Sequence, residues 1–257
     1  MSRAMPTETG ALPVATGIEN ESKVFNHLLG SEGSLVVSKV MAQKGHPNLV
    51  ELLGCFEGSG IEAVSALGLE LPQAEEEPVY YFVTELLEGG SLDQLVQRGP
   101  VFEETAKRLT RKICDGLLSL HSKGVVHRDL KPGNVLFGSN EQGEAEPKFI
   151  DFSHAALAEE DEESLHGELG TRGYVAPEVL AEKPYCSKCD IFSLGCLVHT
   201  LLSGKPPRRH MRIGMVQHLP ATVSQEARQF LSSLLSMDFR SRPGAAEVLR
   251  EPWLQEE

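Results

Sequence analysis

The chain has 257 residues, 37 acidic against 24 basic side chains, a formal net charge of −13 and 40% apolar residues. That is the composition of an ordinary globular chain, long enough for one large domain or two lobes with a real core. The acidity argues against a nucleic-acid backbone as the main partner, because such binding needs clustered Lys and Arg. No run of about 18 uncharged apolar residues occurs, and the opening MSRAMPTETGALPV lacks the apolar centre of a signal peptide, so neither a membrane span nor secretion is expected.

Residues 1–13 are poorly patterned, and weak patterning extends to about residue 35. Val36, Val37, Val40 and Met41 share one face and mark the end of a helix. KGHPNLVELLGCFE is a turn running into an apolar stretch. Residues 58–78, GSGIEAVSALGLELPQAEEEP, read as a loop insertion, and the β-branched, aromatic VYYFVTELL after it as a buried strand. EGGSLDQLV breaks that strand and starts a helix. From Glu103 to His121, Ala106, Leu109, Ile113, Leu117 and Leu120 recur every three or four residues, the spacing of a helix with one buried face. GVVHRDLKPGNVLF and PKFIDFS read as short strands with a loop between them. Residues 159–164, EEDEES, form an exposed acidic run. DIFSLGCLVHTLLSG is apolar nearly all round, a buried helix with Asp190 as expected N-cap and Gly204 as its stop. SQEARQFLSSLLSMD is amphipathic, capped by Ser224.

Five cysteines without a secretory signal imply reduced thiols in a cytosolic or nuclear compartment. Cys186 and Cys189 have metal-ligand spacing, but Cys55, Cys114 and Cys196 supply no second pair, so packing is the simpler role.

The chemistry concentrates in VVHRDLKPGNVLF, where His127, Arg128, Asp129, Lys131 and Asn134 sit within eight positions between apolar flanks. A second acid, Asp151, follows another apolar run. Asp151 and Asn134 offer the oxygen ligands that Mg²⁺ prefers. Asp129, outside the metal shell, could orient and deprotonate a hydroxyl, and Lys131 could stabilise charge on a migrating phosphoryl group. The pattern predicts Mg²⁺-assisted phosphoryl transfer.

HRDLKPGN from His127 to Asn134 matches the catalytic-loop signature of eukaryotic protein kinases. Asp151-Phe152-Ser153 matches the family's Asp-Phe-Gly motif except at the third residue, GTRGYVAPE (170–178) resembles the end of an activation segment, and DIFSLGC and FRSRPGAAEVLREPWL resemble the helices beyond it. Over residues 14–254 the chain therefore resembles a serine/threonine protein kinase, with fainter similarity to the calcium/calmodulin-dependent branch. The resemblance implies an α+β, two-lobed kinase-like fold: a small β-rich lobe, truncated, over residues 14–87 and a larger, mostly helical lobe over 88–257. It implies Asp129 as base, Lys131 on the transferring phosphate, Asn134 and Asp151 on Mg²⁺, and Arg128 answering a phosphate on the activation segment. It further implies Thr84 as gatekeeper, Glu85 and Leu87 as hinge residues for the adenine of ATP, Leu136 as the pocket floor, a Glu178–Arg242 ion pair, and His127 stacked on Phe152. ATP and a protein bearing Ser or Thr are the implied substrates. Ser164 and Thr171 are both candidate phosphorylation sites, with a structural or substrate-facing hydroxyl as the preferred role of Thr171. The acidic run reads as a solvated loop, with constant negative charge facing Arg128 as the sharper alternative.

The front of the chain departs from this pattern. No Gly-rich loop is found. VATG at Val14–Gly17 puts Gly17 where a strand lysine is expected, and Val36 stands where the helix glutamate is expected, 19 positions on. Lys23, Lys39 or Glu32 could serve from shifted positions. The front is read as incomplete, with a pseudokinase, a folded interaction module without turnover, as the alternative to an active enzyme.

Overall fold

A 19-residue helix organises the fold because one of its faces is almost purely apolar. In the computed structural model this helix, α2, runs Glu103–His121 and buries Ala106, Leu109, Ile113, Leu117 and Leu120. Residues 46–59, 78–139, 143–158, 162–205 and 219–255 are described, without the side chains of 54–59 and 78–83. The expectations for Val14–Gly17, Lys23, Glu32, Val36, Val37, Lys39, Val40 and Met41 lie outside the described residues.

Strands β1 (Leu52–Ser59) and β2 (Pro78–Thr84) pair antiparallel from Ser59↔Pro78 to Leu52↔Thr84. The strands claim both ends of the predicted 58–78 loop: Gly58, Ser59 and Pro78 are paired residues. The strand read as VYYFVTELL stops at Thr84, and Leu86 beyond it is 83% exposed. Helix α1 (Leu92–Val96) begins at Ser91, whose hydroxyl accepts from the Gln94 N–H while the Gln94 side chain accepts from the Ser91 N–H, a capping box.

After α2, the short strand β3 (Val125–Val126) pairs with β6 (Ala156–Leu157), and β4 (Val135–Ser139) with β5 (Ala145–Phe149). A 3₁₀ turn, Pro132–Asn134, leads into β4. Both pairs are antiparallel, so the loop after β3 and the loop after β5 emerge beside each other. The turn at 46–50 is stitched to β5, with Phe149 N–H donating to Asn48 O and Val50 N–H to Phe149 O. Gly116 lets α2 lie against this seam: a Cβ there would stand 2.8 Å from the Phe149 ring.

Helix α3 (Pro177–Leu180) precedes α4 (Lys188–Ser203), which is buried on nearly every face and packs between α2 and α5 (Gln225–Leu234). Gly204 stops α4 in the left-handed region, at φ 68°. Asp190 is not the N-cap; that residue is Ser187, and Asp190 lies inside the first turn, fully buried. Ser224 caps α5 as expected and also donates to Glu103 at the start of α2, which accepts from Trp253 Nε1 as well. One carboxylate thereby ties α2, α5 and the C-terminal turn Pro252–Leu254 together. Helix α6 (Ala245–Val248) packs on α2. Cys186 and Cys189 are buried, and burial raises the Cys189 thiol well above its ordinary range, as suits packing residues. Among the described residues no cluster of His, Cys, Asp and Glu converges as a metal site, and no helix is long and apolar enough to cross a membrane.

Candidate active site

Val125 and Val126 are fully buried and fix where the charged loop begins. His127 follows, also buried, with its ring 5.6 Å from Phe149 and 5.3 Å from Phe152 and its Nε2 3.2 Å from Ile150 O. The expected ring contact with Phe152 is therefore present, but as a tilted pair, with 48° between the ring planes, rather than a stacked one. Arg128 adopts φ 63° and Asp151 φ 60°, a backbone region that non-glycine residues seldom occupy and that clusters at functional sites.

Asp190 holds the first of these strained turns. Its Oδ2 accepts from His127 N–H at 2.8 Å and lies 2.9 Å from His121 Nε2, while Oδ1 accepts from Arg128 N–H at 2.9 Å. Burial alone would favour its protonated form, but the hydrogen bond and charge of His121, the charge of His127 and the His127 N–H hold its carboxyl below the usual range. The sequence reading missed this role. An aspartate opening an apolar helix looks like a cap, and its partners lie 62 to 69 positions away. The lowered pKa fixes a sign. Stability from the ionised form is fully present above the ordinary carboxylate value of about 4 and is lost as pH falls through the depressed folded value. Asp190→Asn is expected to flatten that acid limb; urea midpoints from neutral pH down to about 3 measure it. A limb of unchanged slope would remove Asp190 from the account.

Asp129 is the centre of the site. Its Oδ2 accepts from Lys131 Nζ at 2.6 Å and Asn134 Nδ2 at 3.1 Å, and its Oδ1 from the Thr171 hydroxyl at 2.7 Å. Lys131 Nζ is also 2.8 Å from Thr171 Oγ1, closing a ring of Asp129, Lys131 and Thr171. Burial pushes the Asp129 carboxyl up, but hydrogen bonds from Lys131 and Thr171 and the charges of Lys131 and His154 outweigh it and hold the group below the usual carboxylate range. Thr171 reaches the ring because Gly170 turns at φ 106° only 2.7 Å, measured from an ideal Cβ, from Arg128 O. The expectation of a structural or substrate-facing Thr171 fits this placement. Thr171→Val keeps the shape and removes the hydroxyl; a loss of about tenfold in turnover is expected, about 1.4 kcal/mol, with little change in melting temperature. Steady-state kinetics check it, and an unchanged turnover would limit Thr171 to packing.

Asn134 donates to Asp129 O at 2.9 Å as well as to the carboxylate, so its amide nitrogen is committed and its carbonyl oxygen is the atom left to a ligand. Asn134 O accepts from Ile150 N–H at 3.0 Å, which brings the loop after β5 alongside. Asp151 is exposed, and Ser153, its hydroxyl at 2.6 Å and its N–H at 3.2 Å, holds the Asp151 carboxyl below its ordinary range. Serine at the position where the family pattern has glycine thus makes a contact that glycine could not. An amide oxygen and a carboxylate are the hard donors a divalent cation takes, and two protein donors leave room for phosphate oxygens and water, the usual Mg²⁺ arrangement. The residues present fit Mg²⁺.

Arg128 donates from Nε to His154 O at 2.5 Å and from Nη1 to Tyr185 Oη at 3.4 Å. The acidic run does not answer it through Glu163, which pairs with Arg240 on the exposed surface. Residues 159–161 lie outside the described residues, and 162–164 are exposed, as expected of a solvated loop. Glu178 and Arg242 form the expected pair, two-pronged and buried, at 2.6 and 2.8 Å.

The expected nucleotide-facing residues line the edge between β2 and the β4–β5 hairpin. Glu85 donates its N–H to Glu51 O, and its carboxylate accepts from Glu51 N–H and from Lys148 Nζ at 2.6 Å. Lys148, unnoticed in the sequence, sits opposite Leu136 in the β4–β5 register. Leu87 lies over Gly138, and Gly89 and Gly90 bond to Phe137 as an extra edge of β4. Leu136 is half-buried; Thr84 is exposed at the end of β2.

Known proteins bear on this geometry. The family model described as protein kinase domain matches residues 35–254. The chain is 30% identical to a calcium and calcium/calmodulin-dependent serine/threonine-protein kinase of Lilium longiflorum over 98% of its own length and 47% of the relative's. It is 32% identical to calcium/calmodulin-dependent protein kinase type 1 of Macrobrachium nipponense, covering 88% of the chain and 64% of the relative. It is 35% identical to calcium/calmodulin-dependent protein kinase type II of Caenorhabditis briggsae, covering 93% and 44%. The chain thus spans roughly half to two thirds of the length of these curated relatives.

Proposed function

The chain belongs to the protein kinase domain family, and from that premise we propose that it transfers the γ-phosphoryl group of ATP to a Ser or Thr hydroxyl of a protein. The observation that carries the reading is the Asp129–Lys131–Thr171 ring with Asn134 behind it. A carboxylate oxygen accepts about two hydrogen bonds. Oδ2 of Asp129 has two donors and Oδ1 one, which favours Oδ1 as the atom an incoming hydroxyl meets. Asp129 would orient that hydroxyl and take its proton as the O–P bond forms. Its depressed pKa makes it a weak base, which suits a loose transition state in which the proton leaves late. Lys131 would move part of its charge from Asp129 to the migrating phosphoryl group, and Thr171 would keep the carboxylate aimed while this happens. Mg²⁺, held by Asn134 and Asp151, would supply neutralisation of the phosphate charge. The names of the relatives support Ser and Thr over other acceptors.

A second reading, a pseudokinase, is favoured by Gly17 and Val36 standing where a lysine and a glutamate are expected. One experiment separates the two. The chain is incubated with Mg²⁺ and γ-labelled ATP and a mixture of Ser- and Thr-bearing peptides, and its melting temperature is read with and without Mg²⁺-ATP. Labelled phosphoserine or phosphothreonine supports catalysis. A melting shift without label supports the pseudokinase, and neither signal overturns the nucleotide reading altogether.

A further inference from the structure

A cavity of about 510 Å³ lies between α1, the outer face of α2 and the β4–β5 hairpin, in a region that phosphoryl transfer does not use. Leu95, Leu109 and Phe137 form its apolar part. Arg108 and Lys112 also line it, one turn apart on α2, and Arg98 lines it from the end of α1. The charge of Lys112 is met by Glu146, and one carboxylate, Glu144, lines the cavity from the β4–β5 hairpin. Arg98 and Arg108 are exposed, and neither pairs with a described carboxylate. Among the described residues, a chain of net charge −13 therefore lines this cavity with three basic side chains, Arg98, Arg108 and Lys112, against one acidic one, Glu144, beside apolar side chains, the reverse of its average surface. Guanidinium groups are weakly hydrated, take carboxylates in a two-pronged fashion and are enriched at protein interfaces. An apolar centre with a charged rim is the anatomy of a protein-docking patch.

We propose that this groove docks an acidic, leucine-bearing segment of a partner protein, with Arg98 and Arg108 taking its carboxylates and Leu95, Leu109 and Phe137 seating an aliphatic side chain. The groove acts apart from the phosphoryl-transfer residues, so the proposal stands whether or not the chain turns over ATP.

The test is fluorescence anisotropy of the full chain with labelled peptides of repeating Leu-Glu-Glu, Leu-Lys-Lys and Ala-Glu-Glu. The Leu-Glu-Glu peptide is expected to bind saturably, more weakly as salt rises, and at least about tenfold better than the other two. The double variant Arg98→Glu, Arg108→Glu is expected to lose about tenfold or more for Leu-Glu-Glu and to gain for Leu-Lys-Lys. Its melting temperature should be unchanged, because both side chains are exposed. Absence of saturable binding, or equal binding by the double variant, overturns the proposal. Equal binding of Ala-Glu-Glu overturns it too, because diffuse charge would then suffice. Sedimentation showing that the double variant abolishes self-association would assign the groove to a second copy of this chain and overturn the partner reading.

Discussion

Asp129→Asn is expected to lower turnover by about 10²–10⁴ while leaving the fold and the Mg²⁺-ATP melting shift intact. The substitution keeps the volume of a side chain that is only 4% exposed and removes its charge and one acceptor. Lys131 loses its counter-ion but is a quarter exposed, so water compensates it and stability should change little. With the amide oxygen in the place of Oδ2, Lys131 and Asn134 keep their acceptor, Thr171 Oγ1 accepts from the amide nitrogen instead of donating, and Asp151 keeps its place on Ser153. What disappears is the group that receives the hydroxyl proton. The loss should therefore fall on turnover rather than on the peptide's KM, and parallel measurements on the wild type and the variant report it. Activity retained within about twofold would mean that another group is the base or that the signal comes from a contaminant.

The elements that could be read in the sequence are those whose signal is local. The 3.6-residue recurrence of Ala106, Leu109, Ile113, Leu117 and Leu120 needs no partner to be visible, and α2 occupies the expected Glu103–His121. Ser224 and Gly204 act through their own backbone neighbours and are where the sequence places them. The charged loop was legible because charge between buried valines has few uses. Its supports were not legible. Asp190 looks like any helix-opening aspartate until His127 and Arg128 are brought to it across the fold. Lys148 reads as a lysine on a short strand, and only the β4–β5 pairing and the arrival of Glu85 give it a role. Ser153 looked like a lost glycine and proves to hold Asp151. In each case the deciding contact is set by tertiary packing or by a side-chain rotamer, and neither leaves a periodic trace in sequence. The pairing imagined between the acidic run and Arg128 failed at Glu163 for the same reason: the sequence does not show that Arg240 lies nearby.

Glu178→Ala is expected to destabilise the chain by about 3–5 kcal/mol, the cost of leaving one member of a buried ion pair without its partner. Arg242 is 1% exposed and, among the described residues, keeps only the Ser236 and Lys188 carbonyls and the face of Phe192, its guanidinium carbon 4.9 Å from that ring. None of these carries a negative charge, and water cannot reach the group without opening the packing around α4. For a chain of this size the loss corresponds to a fall in melting temperature of roughly 6–20 °C, at about 2–4 °C per kcal/mol. Replacing both members should be milder than the sum of the single changes. Glu178→Ala combined with Arg242→Leu removes the stranded charge, and a buried pair exchanged for apolar groups is often close to neutral. The double-mutant cycle therefore reads the coupling directly, and additive losses, or a single loss under about 1 kcal/mol, would refute the assignment. The effect should also reach the chemistry. Glu178 lies in α3, and only the short turn in which Tyr174 and Val175 donate to Thr171 O separates that helix from the hydroxyl on Asp129. A loosened α3 lets Thr171 drift. Glu178→Ala is thus expected to lose turnover even at temperatures where it remains folded, whereas the double variant recovers stability without recovering a fixed Thr171.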